Sequence, residues 1–456
     1  MTSAREFWAA RALLPSGWAD AVRIAVDPAG FIVSVEPGAA PGAARRLSGH
    51  VIPGVPNLHS HAFQRAMAGG AERRSPAGHD SFWTWRETMY RFVARFSPED
   101  AEAVAAQLYA ECLEHGFTSI AEFHYLHHQP DGTPYADPAE MAKRHLAAAQ
   151  RAGIGITMLP SLYRHGGIFG KEPHGGQRRF LNEIDGFWRI LDATRAAAGG
   201  DPQASIGIAP HSLRAVTPAM LQALSGFDGP IHIHAAEQPK EVEECLAATG
   251  ARPVRWLMDN MPLDRRWVLI HATHLDAGEV RDLAKTRAVA GLCPTTEASL
   301  GDGIFRLPEF LAEGGRIGIG TDSHVGTAPA FELRQLETSQ RLRDHARAVA
   351  TGDQNPHPGR TLLDGVLAGG AQASGRKLGA IAPGLRADLV ELDDTHPLLL
   401  GRAGDALLDA WVFSGQGNPV RTTVCGGQVV VEAGRHVRAM AIRDDFARAM
   451  RRLLDG

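Results

Sequence analysis

Short apolar runs that alternate with helical segments constrain the fold of this 456-residue chain more than any other feature. Each run is largely apolar and rich in β-branched residues, which is typical of strands buried on both faces of a parallel sheet. Eight such runs predict a (β/α)8 barrel, a fold of the α/β class. A doubly wound open sheet is the alternative, but no G-x-G-x-x-G follows the first run. The runs are Val51–His61, Phe117–Phe123, Ile154–Tyr163, Ser205–His211, Pro230–Glu237, Trp267–His274, Ala288–Thr295 and Arg316–His324.

Helix signals lie between the runs. Ser97–Asp100 combines an N-cap, a first-turn proline and early acids, and Gly116 follows the last turn of the same segment. Thr217-Pro218 begins another helix, and Pro138–Ala152 and Pro239–Thr249 each precede a glycine. These signals support the strand–helix alternation.

Both ends of the chain carry short strand patterns instead. The patterns are Ala21–Val26, Phe31–Glu36, Ala387–Leu392, Ala410–Phe413, Thr422–Cys425 and Gln428–Glu432. Two β-rich ends that flank a barrel predict one small β-sandwich domain of residues 1–50 plus 380–440, with the barrel in residues 51–379. The basic amphipathic segment 441–456 is predicted to be a helix that docks on the barrel.

Charge and composition argue against several classes of protein. The 47 Lys and Arg residues against 51 Asp and Glu residues give a net charge of −4, which argues against a nucleic-acid or membrane partner. No apolar run is long enough to span a bilayer, and the charged N-terminus lacks the apolar region of a signal peptide. The four cysteines form no C-x-x-C pair, which fits a reducing compartment. We therefore expect a cytoplasmic protein.

Polar side chains recur at the ends of the predicted strands, where barrel enzymes place their chemistry. His59 and His61 are two residues apart in an extended segment, so their imidazoles point the same way. With His234 and Asp322 they predict a site for one Zn2+ ion, with Fe2+ or another first-row ion as the alternative. The strand ends hold His59, His61, His124, His211, His234, Glu237, His271 and Asp322.

Two of these assignments have competing residues. His232 forms a second H-x-H with His234, and we expect it to lie deeper in the barrel as a packing residue. His271 ends an apolar run and is favoured over His274 for the site. The roles of His274 and His324 stay open.

The motifs around these residues resemble the amidohydrolase superfamily, in its mononuclear-zinc deaminase branch. V-I-P-G-V-P-N-L-H-S-H ends at His61, H-A-A-E begins at His234, H-A-T-H-L begins at His271 and G-T-D-S-H spans residues 320–324. No lysine stands at the end of the third or fourth predicted strand to form a metal-bridging carbamate, which favours one metal ion over two.

Longer stretches resemble one family of that branch, the formimidoylglutamate deiminases (N-formimino-L-glutamate iminohydrolases) of bacterial histidine degradation. The stretches are His59–Gly69, Ser81–Arg86, Ala121–His128, Pro210–Val216, His232–Gln238 and Cys293–Gly303. The resemblance implies that the metal ligands are His59, His61, His234 and Asp322. It implies that the catalytic residues are Glu237, His271 and Asp322. It implies that the substrate contacts are Gln64, Arg86, Tyr125, His211 and Arg214. It further implies a homodimer.

The implied substrate is a small dicarboxylate, N-formimino-L-glutamate. Arg86 and Arg214 would each hold one carboxylate through the planar guanidinium fork. Asp322 and the metal would generate hydroxide, Glu237 would move a proton to the departing nitrogen, and His271 would stabilise the tetrahedral intermediate. The products would be N-formyl-L-glutamate and ammonia.

Two alternatives stay open. One is a related mononuclear-zinc aminohydrolase that acts on a nucleobase, a triazine or a guanidine-like compound. Paired arginines favour a dicarboxylate over a flat neutral ring. The other is a non-catalytic member that keeps the barrel as a binding module, and such a protein would have lost metal ligands.

Overall fold

The structure is a computed structural model that describes residues 5–72, 81–352, 355–415 and 417–455. Its strands are β1 (Arg5–Leu14), β2 (Gly17–Val26), β3 (Ile32–Glu36), β4 (Arg45–Pro53), β5 (Val55–Ser60), β6 (Phe117–His124), β7 (Gly155–Leu162), β8 (Ala204–Ile206), β9 (Ala209–Pro210), β10 (Ile231–Ala235), β11 (Trp267–His271), β12 (Val289–Leu292), β13 (Arg316–Ile319), β14 (Leu389–Leu392), β15 (Val420–Cys425), β16 (Gln428–Glu432) and β17 (Arg435–His436).

The helices are α1 (Phe82–Val93), α2 (Pro98–His115), α3 (Glu140–Ala152), α4 (Ile184–Ala198), α5 (Pro218–Leu224), α6 (Pro239–Thr249), α7 (Pro253–Asn260), α8 (Ala277–Thr286), α9 (Pro294–Leu300), α10 (Leu307–Ala312), α11 (Pro329–Asp344), α12 (Pro358–Ser374), α13 (Asp405–Phe413) and α14 (Ala439–Asp455). Short 3-10 helices span Ala62–Met67 and Gly175–Gln177. None of the helices in the described ranges is both long and apolar enough to cross a membrane.

The strands β5 to β13 form a closed parallel barrel. The pairs β5–β6, β6–β7 and β7–β8 make one arc of the barrel, and β10–β11, β11–β12 and β12–β13 make the other. A bridge between Ser212 and His234 joins the arcs on one side, and a bridge between Ser60 and Asp322 closes the barrel on the other. The predicted (β/α)8 barrel is therefore confirmed, and its carboxyl-end closure runs through predicted site residues.

Both chain ends meet in one eight-stranded sheet with the order β17-β16-β15-β14-β4-β1-β2-β3. β4 is the strand that unites them, because it pairs in parallel with β1 and antiparallel with β14. The sheet has its own buried core, which includes Phe7, Ile24, Leu47, Leu389 and Val424. The predicted small β domain built from both termini is confirmed.

One predicted strand of this region is wrong. Ala410–Phe413 lies in helix α13 instead, and α13 packs against α11 and α12 on the outside of the barrel. Its buried residues Leu407, Leu408 and Trp411 recur at helical spacing. A four-residue apolar run cannot distinguish a strand from a buried helix by its periodicity, which is why the prediction failed.

The first predicted strand, Val51–His61, is two strands in two sheets. Val51–Pro53 belongs to β4 of the terminal sheet, so the first barrel strand begins at Val55. Gly54 separates them where the backbone passes close to β6, since a Cβ at this position would lie 2.2 Å from Thr118 Oγ1.

Helix α14 packs along α2. Its Leu453 side chain is buried, and Arg452 pairs with Asp100 in the first turn of α2. The start of α2 has the predicted N-cap, Ser97, and the structure adds a capping box in which Ser97 and Asp100 exchange hydrogen bonds. Gly116 ends α2 in the left-handed conformation, at φ +104°.

Candidate active site

The four side chains predicted to bind a metal ion converge at the carboxyl end of the barrel. His59 lies in β5 with His61 just after its end, His234 lies in β10 and Asp322 follows β13. The Nε2 atoms of His59 and His234 are 3.2 Å apart. An oxygen of Asp322 lies 3.5 Å from His59 Nε2 and 3.4 Å from His61 Nε2. The structure thus brings together residues from three segments that are distant in the sequence.

The protonation of these imidazoles fits a divalent metal ion. The Nδ1 atoms of His61 and His234 lie 2.9 Å from the backbone oxygens of Phe123 and His211, respectively. Each Nδ1–H donates to that oxygen, which leaves the Nε2 lone pair for a metal. Burial lowers the pKa of His59, of His61 and of His234, so all three are neutral near pH 7. Three neutral nitrogens and one carboxylate oxygen are a donor set that suits Zn2+.

Two of the residues at the strand ends, Asp322 and His271, have left-handed backbone conformations that set the direction of their side chains. Asp322 has φ +45° and His271 has φ +68°, which non-glycine residues adopt rarely and at a cost. Hydrogen bonds hold Asp322 in place, since its N–H donates to His59 O at 3.0 Å and its C=O accepts from His61 N–H at 3.2 Å. The backbone of Asp322 is therefore tied directly to those of His59 and His61.

Glu237 and His271 lie beside this cluster. His271 Nε2 is 3.7 Å from an oxygen of Glu237 and 3.8 Å from an oxygen of Asp322. On the other side of the ring, His271 Nδ1 faces Glu297 Oε1 at 3.3 Å. Burial lowers the pKa of His271, but the three carboxylates outweigh it and raise this pKa to about 10. His271 therefore presents an N–H donor to the site.

Arg214 forms an ion pair with Glu237. Its Nη2 donates to a Glu237 oxygen at 2.8 Å, and both side chains are buried. Behind them, Glu241 accepts hydrogen bonds from the backbone N–H groups of Ala236 and Glu237 at 3.1 and 3.3 Å. Burial opposes the charge on Arg214, but Glu241 and Glu237 raise its pKa. The arginine therefore holds the Glu237 carboxylate as well as facing the cavity.

A cavity of about 640 Å³, including its mouth, opens above these residues. Predicted site residues in its wall are His61, Gln64, Arg86, Tyr125, His211, Arg214, His234, Glu237, His271 and Asp322. Aromatic residues not singled out from the sequence also line it, namely Tyr90, Tyr163 and Phe180.

Arg86 reaches the cavity from helix α1. Its guanidinium carbon lies 4.6 Å from the Trp83 ring centroid and 5.6 Å from that of Tyr90. These distances allow cation–π attraction. Within the described residues no carboxylate forms an ion pair with Arg86, and its Nε is buried without a hydrogen-bond acceptor. This arginine is a cation held by aromatic rings and open to an anionic ligand.

Three neutral polar residues complete the wall. Gln64 Nε2 donates to the hydroxyl of Tyr125 at 3.0 Å, while Gln64 Oε1 is buried with no donor among the described residues. The His211 ring packs against Tyr163 and His234, with ring centroids 4.5 and 4.8 Å apart. Burial lowers the pKa of His211, so it is neutral near pH 7 and can accept or donate one hydrogen bond.

The other strand-end histidines lie away from the cavity. His124 is buried against His127 and His145, at ring-centroid distances of 5.0 and 4.9 Å. His232 lies deeper in the barrel, where its Nε2 is 2.9 Å from the backbone oxygen of Ala373. His324 is buried behind the site, with its Nδ1 2.9 Å from Thr321 Oγ1. These three histidines contact neighbouring residues in the interior and do not line the cavity.

The interpretation of the sequence missed Glu297 as an individual residue. Glu297 lies inside the quoted stretch Cys293–Gly303, on helix α9. His271, Cys293 and Glu297 each offer a possible metal-ligand atom, all within 4.8 Å of one another. Hydrogen bonds from His271 Nδ1 and Cys293 N to Glu297 Oε1 explain that proximity.

The sequence matches two known family descriptions. The amidohydrolase family matches residues 50–430, and the family described as formimidoylglutamate deiminase HutF, N-terminal domain, matches residues 5–49. A formimidoylglutamate deiminase of Pseudomonas aeruginosa is 52% identical over 454 residues, which cover 98% of this chain and 99% of that protein.

Solved structures agree with this relationship. The crystal structure of an amidohydrolase from Brucella melitensis superposes with a TM-score of 0.94 at 47% identity, over 99% of this chain and 100% of that one. The zinc complex of an atrazine chlorohydrolase from Arthrobacter aurescens has a TM-score of 0.82 at 21% identity, over 97% of this chain and 100% of that one, and this similarity shows the shared fold. This chain therefore belongs to the amidohydrolase family and, within it, to the formimidoylglutamate deiminases, which are hydrolases of a C–N bond.

Proposed function

We propose that this chain catalyses the metal-dependent hydrolytic deimination of N-formimino-L-glutamate to N-formyl-L-glutamate and ammonia, in histidine degradation. One observation carries the proposal. One cavity is lined by His61, His234, Asp322, Glu237 and His271 together with two arginines, Arg86 and Arg214. Such a cavity suits a molecule that has two carboxylates and one hydrolysable carbon.

We propose one Zn2+ ion per chain, held by His59, His61, His234 and Asp322, with Fe2+ or another divalent ion as the alternative. The neutral imidazoles and the carboxylate described above support this ligand set. When bound, such an ion polarises a carbon–nitrogen group and lowers the pKa of a water to near neutrality.

The remaining chemistry belongs to the side chains. Asp322 accepts the proton of the attacking water, since its oxygen Oδ2 faces His271 and the cavity. Glu237 carries protons to the formimino nitrogen, which receives both protons of the water, including the one that Asp322 accepts. The C–O bond forms, the C–N bond to this nitrogen breaks, and the nitrogen leaves as ammonia. His271 donates its Nε2–H to the tetrahedral intermediate and so stabilises the negative charge that develops on it. The 3.7 Å and 3.8 Å separations of His271 Nε2 from Glu237 and Asp322 support this division of roles.

Arg86 and Arg214 bind the two carboxylates in different ways. Arg86 forms no ion pair with the described residues, so the substrate supplies its anionic partner. Arg214 gives one N–H to Glu237 and has five N–H donors in total, which leaves donors for a second carboxylate. Gln64, Tyr125 and His211 contact the substrate between the two arginines.

The test is ammonia release from a panel of formiminoglutamate, formiminoaspartate, guanine, cytosine and an S-adenosyl compound. We expect formiminoglutamate to have the highest kcat/KM, with N-formylglutamate as the second product. Preferential release from guanine, cytosine or the S-adenosyl compound would instead establish the aminohydrolase alternative.

We also propose that the protein is a cytoplasmic homodimer with a small-molecule substrate and no nucleic-acid partner. The family resemblance supports the dimer, and the charge balance supports the absence of a nucleic-acid surface. Light scattering coupled to size-exclusion chromatography measures the mass directly, and a mass of one chain would contradict the dimer.

A further inference from the structure

Glu297 is a buried carboxylate that the proposed reaction does not yet use. It lies on α9, in the C-P-T-T-E motif that begins at Cys293. Its side chain is 6% exposed, although an ionised carboxylate is costly to bury without partners. The partners it has therefore indicate its role.

Both described partners of Glu297 donate to the same oxygen. Oε1 accepts the backbone N–H of Cys293 at 2.8 Å and lies 3.3 Å from His271 Nδ1. Among the described residues no other acceptor lies within hydrogen-bond distance of His271 Nδ1. The Cys293 N–H fixes the carboxylate, and the carboxylate faces the ring of His271 on the side away from the cavity.

We propose that Glu297 is a positioning residue for His271: its Oε1 accepts the Nδ1–H of the imidazole and so holds Nε2 toward Glu237, Asp322 and the reacting carbon. The inference deepens the proposed function, because it depends on the role given there to His271. A carboxylate behind a catalytic imidazole fixes the ring orientation and stabilises the doubly protonated ring, which keeps a proton on Nε2 while Nδ1–H donates to the carboxylate.

The backbone of His271 explains why the ring needs this support. The residue has φ +68° at the end of β11, and the next residue, Ala272, also has a positive φ of +47°. The strand ladder ends at this point, so the β-sheet does not orient the side chain beyond it. Glu297 supplies the orientation from a different element, helix α9.

A purely structural role for Glu297 makes a different prediction. In that case Glu297 would only fasten the start of α9 through Cys293 N–H, and its loss would disturb the helix whether or not His271 were present. Glu332 is a matched control, since it is also buried and fastens the same helix by accepting from Thr295 N–H at 3.0 Å and Thr295 Oγ1 at 2.6 Å. Glu332 forms no hydrogen bond with the described site residues.

The experiment is a double-mutant cycle of Glu297→Ala and His271→Ala on the metal-loaded enzyme, with kcat and KM measured separately. We expect Glu297→Ala to lower kcat about 10- to 100-fold, the range for supporting partners of site histidines, with KM changed less than about threefold. In the His271→Ala background the same change should lower kcat less than about twofold, because the two residues act as one unit.

Two further variants separate positioning from structure. Glu297→Gln keeps an oxygen acceptor, and the Cys293 N–H holds that oxygen toward His271, so we expect it to recover most of the activity lost in Glu297→Ala. Glu332→Gln should lower the melting temperature but keep kcat within about threefold of the parent. Nitrogen-15 NMR of labelled histidine should show that the His271 Nδ1–H exchanges slowly with solvent in the parent and in Glu297→Gln, and exchanges faster in Glu297→Ala.

The outcomes are distinguishable. If Glu297→Ala lowers kcat equally with and without His271, Glu297 acts on the fold and the positioning role is wrong. If Glu297→Ala leaves kcat within twofold of the parent, it has no role in turnover. If His271→Ala itself keeps near-normal kcat, the role of His271 in the proposed function fails instead.

Discussion

At the scale of single residues, the proposed mechanism depends on a few side chains whose partners can be removed one at a time. Glu237 offers the clearest test, because it contacts both His271 and Arg214 but is not among the proposed metal ligands. We expect Glu237→Gln to leave the metal content near that of the parent and to lower kcat by about 10²- to 10⁴-fold. Elemental analysis and initial-rate kinetics measure the two effects. Near-normal turnover would assign the proton transfer to another residue.

The two arginines should respond differently to Arg→Met substitution. Either change should lower kcat/KM for formiminoglutamate about 30- to 5,000-fold, because loss of one member of a desolvated charge pair costs about 2–5 kcal/mol. Arg86→Met should leave the free energy of unfolding unchanged, since no described carboxylate pairs with Arg86. Arg214→Met should also lower it by about 3–5 kcal/mol, because Glu237 and Glu241 lose a buried cation.

Urea unfolding and steady-state kinetics on the same two preparations test this difference. Arg→Lys at either position is the milder control, because an ammonium keeps the charge but lacks the planar fork. Activity within about threefold of the parent in both Met variants would contradict the proposal that the substrate is a dicarboxylate.

At the residue scale the sequence predicted the side chains that belong to recognisable motifs. His59 and His61 follow from their spacing, and Asp322 from its place after an apolar run. The sequence did not predict that Arg214 pairs with Glu237 or that Glu297 faces His271. Both contacts join residues more than twenty positions apart that lie near the ends of neighbouring barrel strands, and the pairing of those strands brings them together.

At the scale of elements, Gly54 separates the two sheets and should not tolerate a side chain. An alanine Cβ would lie 2.2 Å from Thr118 Oγ1 and 2.4 Å from its Cγ2, so β5 or β6 would have to move. We expect Gly54→Ala to lower the free energy of unfolding by about 1–3 kcal/mol, the cost of overpacking, in urea denaturation. Gly226→Ala is the control, because its Cβ would have no atom within 4 Å.

Thr118→Ala should restore part of the stability in the Gly54→Ala background. A Gly54→Ala variant as stable as the parent would show that the two strands do not pass as closely as the structure has them.

The region around Gly54 also shows the limit of sequence patterns for predicting elements. Before its histidines, the run Val51–His61 has Asn57 as its one polar side chain, and nothing in it but Pro53-Gly54 marks the change of sheet.

At the scale of the whole molecule, buried histidines away from the cavity should limit stability in acid. Burial lowers the pKa of His127 to about 3 and the pKa of His145 to about 4. In the unfolded chain a histidine has a pKa of about 6.5, so between about pH 6.5 and 4 the unfolded state binds more protons than the native state. The free energy of unfolding should therefore fall as the pH drops through this window.

Urea denaturation at a series of pH values measures this slope. His127→Gln and His145→Gln should each make the slope shallower, because the amide keeps a donor and an acceptor but does not titrate. His345→Gln, at an exposed position after α11, should leave the slope as it is. A parent slope that is flat between pH 6.5 and 4 would contradict neutral, buried histidines.

The overall architecture was predictable because each of its parts has a local signal. The barrel follows from apolar runs at regular intervals, and the terminal sheet follows from turn residues between short strands. The division into residues 1–50 plus 380–440 and 51–379 stays a proposal, with the structure placing residues 51–53 in the terminal sheet. Helix α13 was missed because its burial comes from α11 and α12, which a local pattern does not contain.

The most direct measurement of the central claim is ammonia release from formiminoglutamate as a function of bound metal. The metal-free protein is titrated with Zn2+, and activity is plotted against metal per chain from elemental analysis. The account predicts a linear rise that ends near one ion per chain, and it predicts that His59→Ala and His234→Ala lose both metal and activity. A metal-free protein that hydrolyses formiminoglutamate at the full rate would contradict it.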